Sequence, residues 1–131
     1  MQNKSALEAK LVEEFVVQSH SNLDRVKELL AQEPALVNAT WDWGGGDFES
    51  ALGAAGHMGR KDIAEYLLSN GARLDIFVAA MLGKLEIVKA ILDAFPDALE
   101  SLGPHGISLL EHAITGGEDA QEVFELISSL R

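Results

Sequence analysis

Ser50-Ala51-Leu52-Gly53-Ala54-Ala55-Gly56-His57-Met58-Gly59-Arg60-Lys61-Asp62-Ile63-Ala64-Glu65-Tyr66-Leu67-Leu68-Ser69-Asn70-Gly71-Ala72 decides the fold. Ser50 stands where a helix cap is wanted, ahead of a short run of small apolar residues. After Gly59, Asp62 falls in a first helical turn, where a carboxylate suits the positive helix end. Ile63, Ala64, Leu67 and Leu68 then mark one apolar stripe at helical spacing. Asn70-Gly71 stops that helix, because glycine readily takes left-handed backbone.

The same rhythm runs along the whole chain. The glycine before the second helix recurs at Gly59, Gly83 and Gly117, with Ser21 in its place in the first copy; the intervals are 38, 24 and 34 residues. Ile87, Val88, Ile91 and Leu92 repeat the stripe in the third copy. Val26, Leu29 and Leu30 keep most of it in the first, with Arg25 at the odd place. Val123, Leu126 and Ile127 do so in the fourth, once one inserted residue is allowed. Asp24 and Glu86 match Asp62, and Ser108 matches Ser50. Pro34 and Pro96 each stand four residues beyond the last stripe leucine and predict a helix end. One helix pair cannot bury such a stripe alone, whereas stacked neighbours can.

Residues 50–72 resemble an ankyrin repeat nearly position by position, and that family's period is about 33 residues. The likeness spans residues 6–129. Two departures stand out. Ala51 and Leu109 replace the family proline, and Arg73-Leu74-Asp75-Ile76-Phe77 is too short a link for a normal β-hairpin. The resemblance implies an all-α, ankyrin-like helical solenoid of about four helix pairs with short or missing β-hairpins. It implies a single domain over residues 1–131, with repeats near 6–38, 39–73, 74–100 and 101–131. The second copy, being the best formed, is expected to couple the two halves. A stacked repeat presents a surface, so the expected function is protein binding through a concave face, with no enzyme activity and no cofactor.

Composition narrows the partners. The 131 residues suit one domain with a thin continuous core, and 47% apolar content is ordinary for a globular chain. No run approaches the roughly 18 apolar residues of a membrane span. The opening Met1-Gln2-Asn3-Lys4-Ser5 leads into a charged helical run, Leu7–Val17, without the apolar core of a signal peptide. There is no cysteine, which fits a cytoplasmic location. The net charge is −11, and no Lys or Arg occurs between Lys89 and Arg131. That balance repels nucleic acid and anionic membranes, and attracts a basic protein partner. It also suits the polar outer face of a terminal capping repeat in a monomer.

Trp41, Asp42, Trp43, Asp47, Phe48 and Glu49, around Gly44-Gly45-Gly46, form the most unusual segment. It sits where ankyrin repeats place a hairpin finger. Three glycines make order costly, and aromatic residues at a loop tip favour recognition, so a binding finger is expected. The competing view folds the tryptophans back over a gap in the stack. Register adds Ser19, His57, Met81 and Thr115 along the concave side. Phe77 and Met81, four apart, share one helix face. They are an anchor if exposed, and core if the missing hairpin lets the helix sink, which is the favoured outcome. His105, in Gly103-Pro104-His105-Gly106, belongs to the last finger.

His20, His57, His105 and His112 are scattered in sequence. No metal-ligand spacing, phosphate loop or nucleophile elbow occurs, so no metal site is expected and His57 and His105 are read as contact or turn residues. The alternative function is a small-molecule or carbohydrate pocket under the Trp41–Glu49 finger, with hydrolysis by its carboxylates. A closed site holding Trp43, Asp47 and His57 together would favour that alternative over a flat protein-docking face. One test of the charge argument is a gel shift with duplex DNA and RNA near physiological salt. No salt-sensitive complex should form.

Overall fold

The computed structural model describes residues 4–131. Met1–Asn3, at the start of the opening segment, lie outside the described residues. Among the described residues, eight α-helices run in four consecutive pairs. They are α1 (Ala9–Gln18) with α2 (Leu23–Gln32), and α3 (Ala51–His57) with α4 (Lys61–Ser69). Then come α5 (Ile76–Met81) with α6 (Leu85–Ala94), and α7 (Leu109–Thr115) with α8 (Gln121–Leu130). The first helices of the pairs pack in order, α1 on α3, α3 on α5 and α5 on α7.

Local chemistry sets these boundaries. Ser50 Oγ accepts from the Gly53 amide at 2.9 Å, and Ser108 Oγ from Glu111 at 3.1 Å. Asp75 caps α5 by accepting from Val78 N at 2.9 Å. The turns between paired helices require left-handed backbone at Gly59, Gly83 and Gly117, with φ of 68°, 74° and 66°. A side chain is disfavoured there, which is why the glycine marks the repeat. Pro34 and Pro96 open short 3-10 turns, Pro34–Asn38 and Pro96–Glu100, directly after α2 and α6.

The all-α expectation needs one amendment. Strands β1 (Thr40–Asp42) and β2 (Phe48–Ser50) form an antiparallel hairpin with Trp41 opposite Glu49. The link from α4 to α5 holds no strand, and the finger before α7 has a single bridge, Leu102 to Ser108. Among the described residues, no helix is long and apolar enough to cross a membrane.

Two apolar clusters make up the core. One gathers Phe15, Val26, Leu29, Leu36, Leu52, Ile63, Leu67, Val78 and Met81. The other gathers Ile76, Ala79, Ala80, Val88, Leu92, Leu109, Ala113, Val123 and Ile127. Helix α5 supplies both, so the third pair joins the halves, a role the sequence assigns to the second copy. Five of its six residues are buried, because with no hairpin before it α5 is drawn between α3 and α7. Met81 is fully buried and is removed from the binding candidates; it is core. Leu67 is equally buried in the first cluster. Leu67→Ala should therefore cost about 2–5 kcal/mol in chemical denaturation. An unchanged midpoint would contradict this packing.

Candidate functional site

Strand alternation places the site's central group. In β2, Phe48 faces out, 60% exposed, and the next residue, Glu49, points inward with no exposed surface. An ionised carboxylate withdrawn from water needs partners. Four side chains surround it. The Trp43 indole donates to Oε1 at 2.9 Å, and His20 Nε2 lies 3.1 Å from the same oxygen. His57 Nε2 is 2.9 Å and His105 Nε2 3.3 Å from Oε2.

Each partner is positioned by its own element. The loop from β1 to β2 turns on Gly44, Gly45 and Gly46, all at positive φ, while Asp42 Oδ1 accepts from the Gly44 and Gly46 amides at 2.8 and 3.0 Å. That turn returns Trp43 over the carboxylate, leaving it 40% exposed. His20 follows the end of α1, and its Nδ1 donates to the Val16 and Val17 carbonyls at 2.9 and 3.1 Å. His57 is the last residue of α3. His105 sits in the last finger at φ 62°, a conformation uncommon for a non-glycine residue. Asp47 holds it there, accepting from its backbone amide at 2.8 Å and from Nδ1 at 2.6 Å.

The electrostatics follow. Burial pushes the Glu49 carboxyl up, but His20, His57 and the Trp43 indole together hold it down to about 2. Hydrogen bonding with Glu49 raises His20, outweighing the opposite effect of burial. The His105 amide, with its ring, keeps the Asp47 carboxyl low. One nitrogen from each of His20, His57 and His105 and one Glu49 oxygen lie within 4.8 Å of one another, a spacing that can ligate a metal ion. His112 stays outside. It is buried against Phe77, its Nδ1 bonds the Ser108 carbonyl, and desolvation lowers its pKa.

Of the sequence candidates, Trp43, Asp47, Glu49, His57 and His105 come together here. Asp42 shapes the loop instead of facing the site. Trp41 is half-buried outside the cluster. Phe48 and the half-buried Phe77 line a neighbouring groove of about 350 Å³ with Leu102 and Pro104. Sequence register misses His20, because the first copy is shifted by one residue: Ser19, in the register position of His57, is buried and bonds the Phe15 carbonyl. The finger, whose three glycines make order costly, is nonetheless tied by Asp47 to the last finger and by Trp43 to Glu49.

No family model matches the chain, and the search of curated proteins returned no match.

A pH dependence follows from the two shifts. Glu49 is lowered from 4.5 to about 2, so its contribution to stability is complete above pH 4.5 and is lost as pH falls toward 2. His20 is raised from 6.5, so its contribution is complete below pH 6.5 and is lost as pH rises through the raised value. The melting-temperature gap between wild type and Glu49→Gln, in chelator-containing buffer, should be widest between pH 4.5 and 6.5. It should narrow on both sides. The maximal effect is a few kcal/mol, because each tenfold change in proton affinity is worth about 1.4 kcal/mol. A gap that ignores pH would contradict the pairing.

Proposed function

We propose that this chain is an ankyrin-like repeat module whose concave side holds a recognition centre for a small polar ligand, built on Glu49 under the finger. The repeat assignment is supported by the four helix pairs, the left-handed glycines at the three marker positions and the order in which the first helices pack. The function is carried by one observation. A fully buried carboxylate is met by three histidines and an indole drawn from α1, α3 and both fingers. Stability does not call for this arrangement, since burying charge gains little over apolar packing. Polar groups converging from separate elements are the mark of a binding site. Trp43, Asp47 and His57 also stand together around the carboxylate, which supports the small-ligand reading.

Protein docking is the second function, supported by Phe48 and by Leu102, 60% and 64% exposed on the two fingers beside the groove. With a net charge of −11, its partner would be a basic protein. A thermal-shift panel separates the two. Small carboxylates, phosphates, amines and divalent metal salts are tested against wild type and Glu49→Gln. A small-ligand centre predicts that at least one class raises the melting temperature by several degrees in wild type only. If no class does so, while a basic protein binds both forms equally and loses affinity on Phe48→Ala, the function is docking.

A further inference from the structure

We propose that the ligand of this centre is a divalent first-row transition metal ion, zinc above all, held by His20 Nε2, His57 Nε2, His105 Nε2 and Glu49. The inference rests on the recognition centre proposed above and gives its ligand a chemical identity.

Proton placement is the first argument. His20 Nδ1 faces two backbone carbonyls and His105 Nδ1 faces the Asp47 carboxylate, all acceptors only. Both Nδ1 atoms therefore carry hydrogen, and in the neutral rings each Nε2 presents a lone pair. Those lone pairs point at the Glu49 carboxylate, itself rich in lone pairs. Either a proton on Nε2, as the hydrogen bond of His20 with Glu49 supplies, or a cation between the groups makes that approach favourable. Protonating all the rings would supply charge too, but it would crowd like charges whose ring centres lie 5.1 Å (His20–His57) and 5.3 Å (His57–His105) apart.

The second argument is an unmet bond. Glu49 Oε2 and His57 Nε2 are buried and have no hydrogen-bond partner, although they are 2.9 Å apart, because they are out of line for one. Buried polar atoms are seldom left so. As two corners of one tetrahedral shell they would be satisfied: donors bound at about 2.0–2.1 Å lie about 3.3–3.4 Å apart. On Oε2, His105 Nε2 at 3.3 Å matches that spacing and His57 Nε2 at 2.9 Å lies inside it, while His20 Nε2 stands 3.1 Å from the other oxygen, Oε1.

The third is the outer ring of contacts. Ligating histidines characteristically donate their other nitrogen to a carboxylate or carbonyl, as His105 and His20 do. Three nitrogens and one oxygen suit zinc, cobalt or nickel; magnesium and calcium prefer oxygen throughout. Four protein donors fill a tetrahedral shell, so the ion would be a staple rather than a catalyst.

The test uses the full chain, stripped with chelator and titrated calorimetrically with zinc chloride and cobalt chloride. One ion per chain is expected, with the intense visible absorption of four-coordinate cobalt. His57→Ala should weaken binding by at least about 100-fold. Asp47→Asn, which leaves every ligand in place, should weaken it about 10–100-fold. Circular dichroism checks that each variant is folded, and Asp47→Asn serves if His57→Ala is not. Failure of the folded, stripped wild type to bind either ion overturns the proposal, as does binding that both substitutions leave unchanged. If metals fail while a small anion or amine still stabilises wild type and not Glu49→Gln, the recognition centre stands and its metal identity falls. If nothing stabilises it, both fall.

Discussion

A carboxylate with no access to water governs this molecule. Leaving Glu49 charged in an apolar surrounding would cost several kcal/mol, so its neighbours must compensate. The hairpin register, the glycine turn that returns Trp43, the ends of α1 and α3 and the last finger all meet that demand. Replace Glu49 by an apolar residue and the three histidines lose their common partner. The polar centre is thus the point at which otherwise separate elements are brought into agreement.

A shortened link is what allows the last finger to arrive. In an even stack, a hairpin between α4 and α5 would stand between the first and last fingers. Here the chain passes from α4 to α5 without a strand, α5 sinks between its neighbours, and α3 reaches α7 directly. Asp47 and His105, 58 residues apart, then come within hydrogen-bond distance. The close fit shows at Gly83 as well, where an added Cβ would collide with the Asp119 carbonyl. The strandless link thus goes with a direct meeting of the first and last fingers.

Much of the fold was legible because its signals are local. The marker glycines, the serine caps, the stripe positions and the prolines each act within one turn of their own residue, and they stand where the sequence placed them except Ile87, a stripe residue that is 39% exposed. The short link was visible too, and with it the inward position of Met81. The site was legible only in part. Trp43, Asp47 and Glu49 stood out through their company of glycines and aromatics, and His57 through register. His20 escaped because the expected register position falls on Ser19, which is buried, while the next residue, His20, meets Glu49. The histidines looked scattered because their meeting depends on distances fixed by tertiary packing, which no helical spacing encodes.

His105 lies on the far side of the strandless link from His20, Glu49 and His57. A nick at Arg73 or Leu74, both exposed, would divide the centre unequally. One fragment would keep three of the four groups around the carboxylate's pocket, and the other would carry the fourth with its strained backbone. Neither piece would own the whole centre. Its assembly would then require the two halves of the chain to stay together.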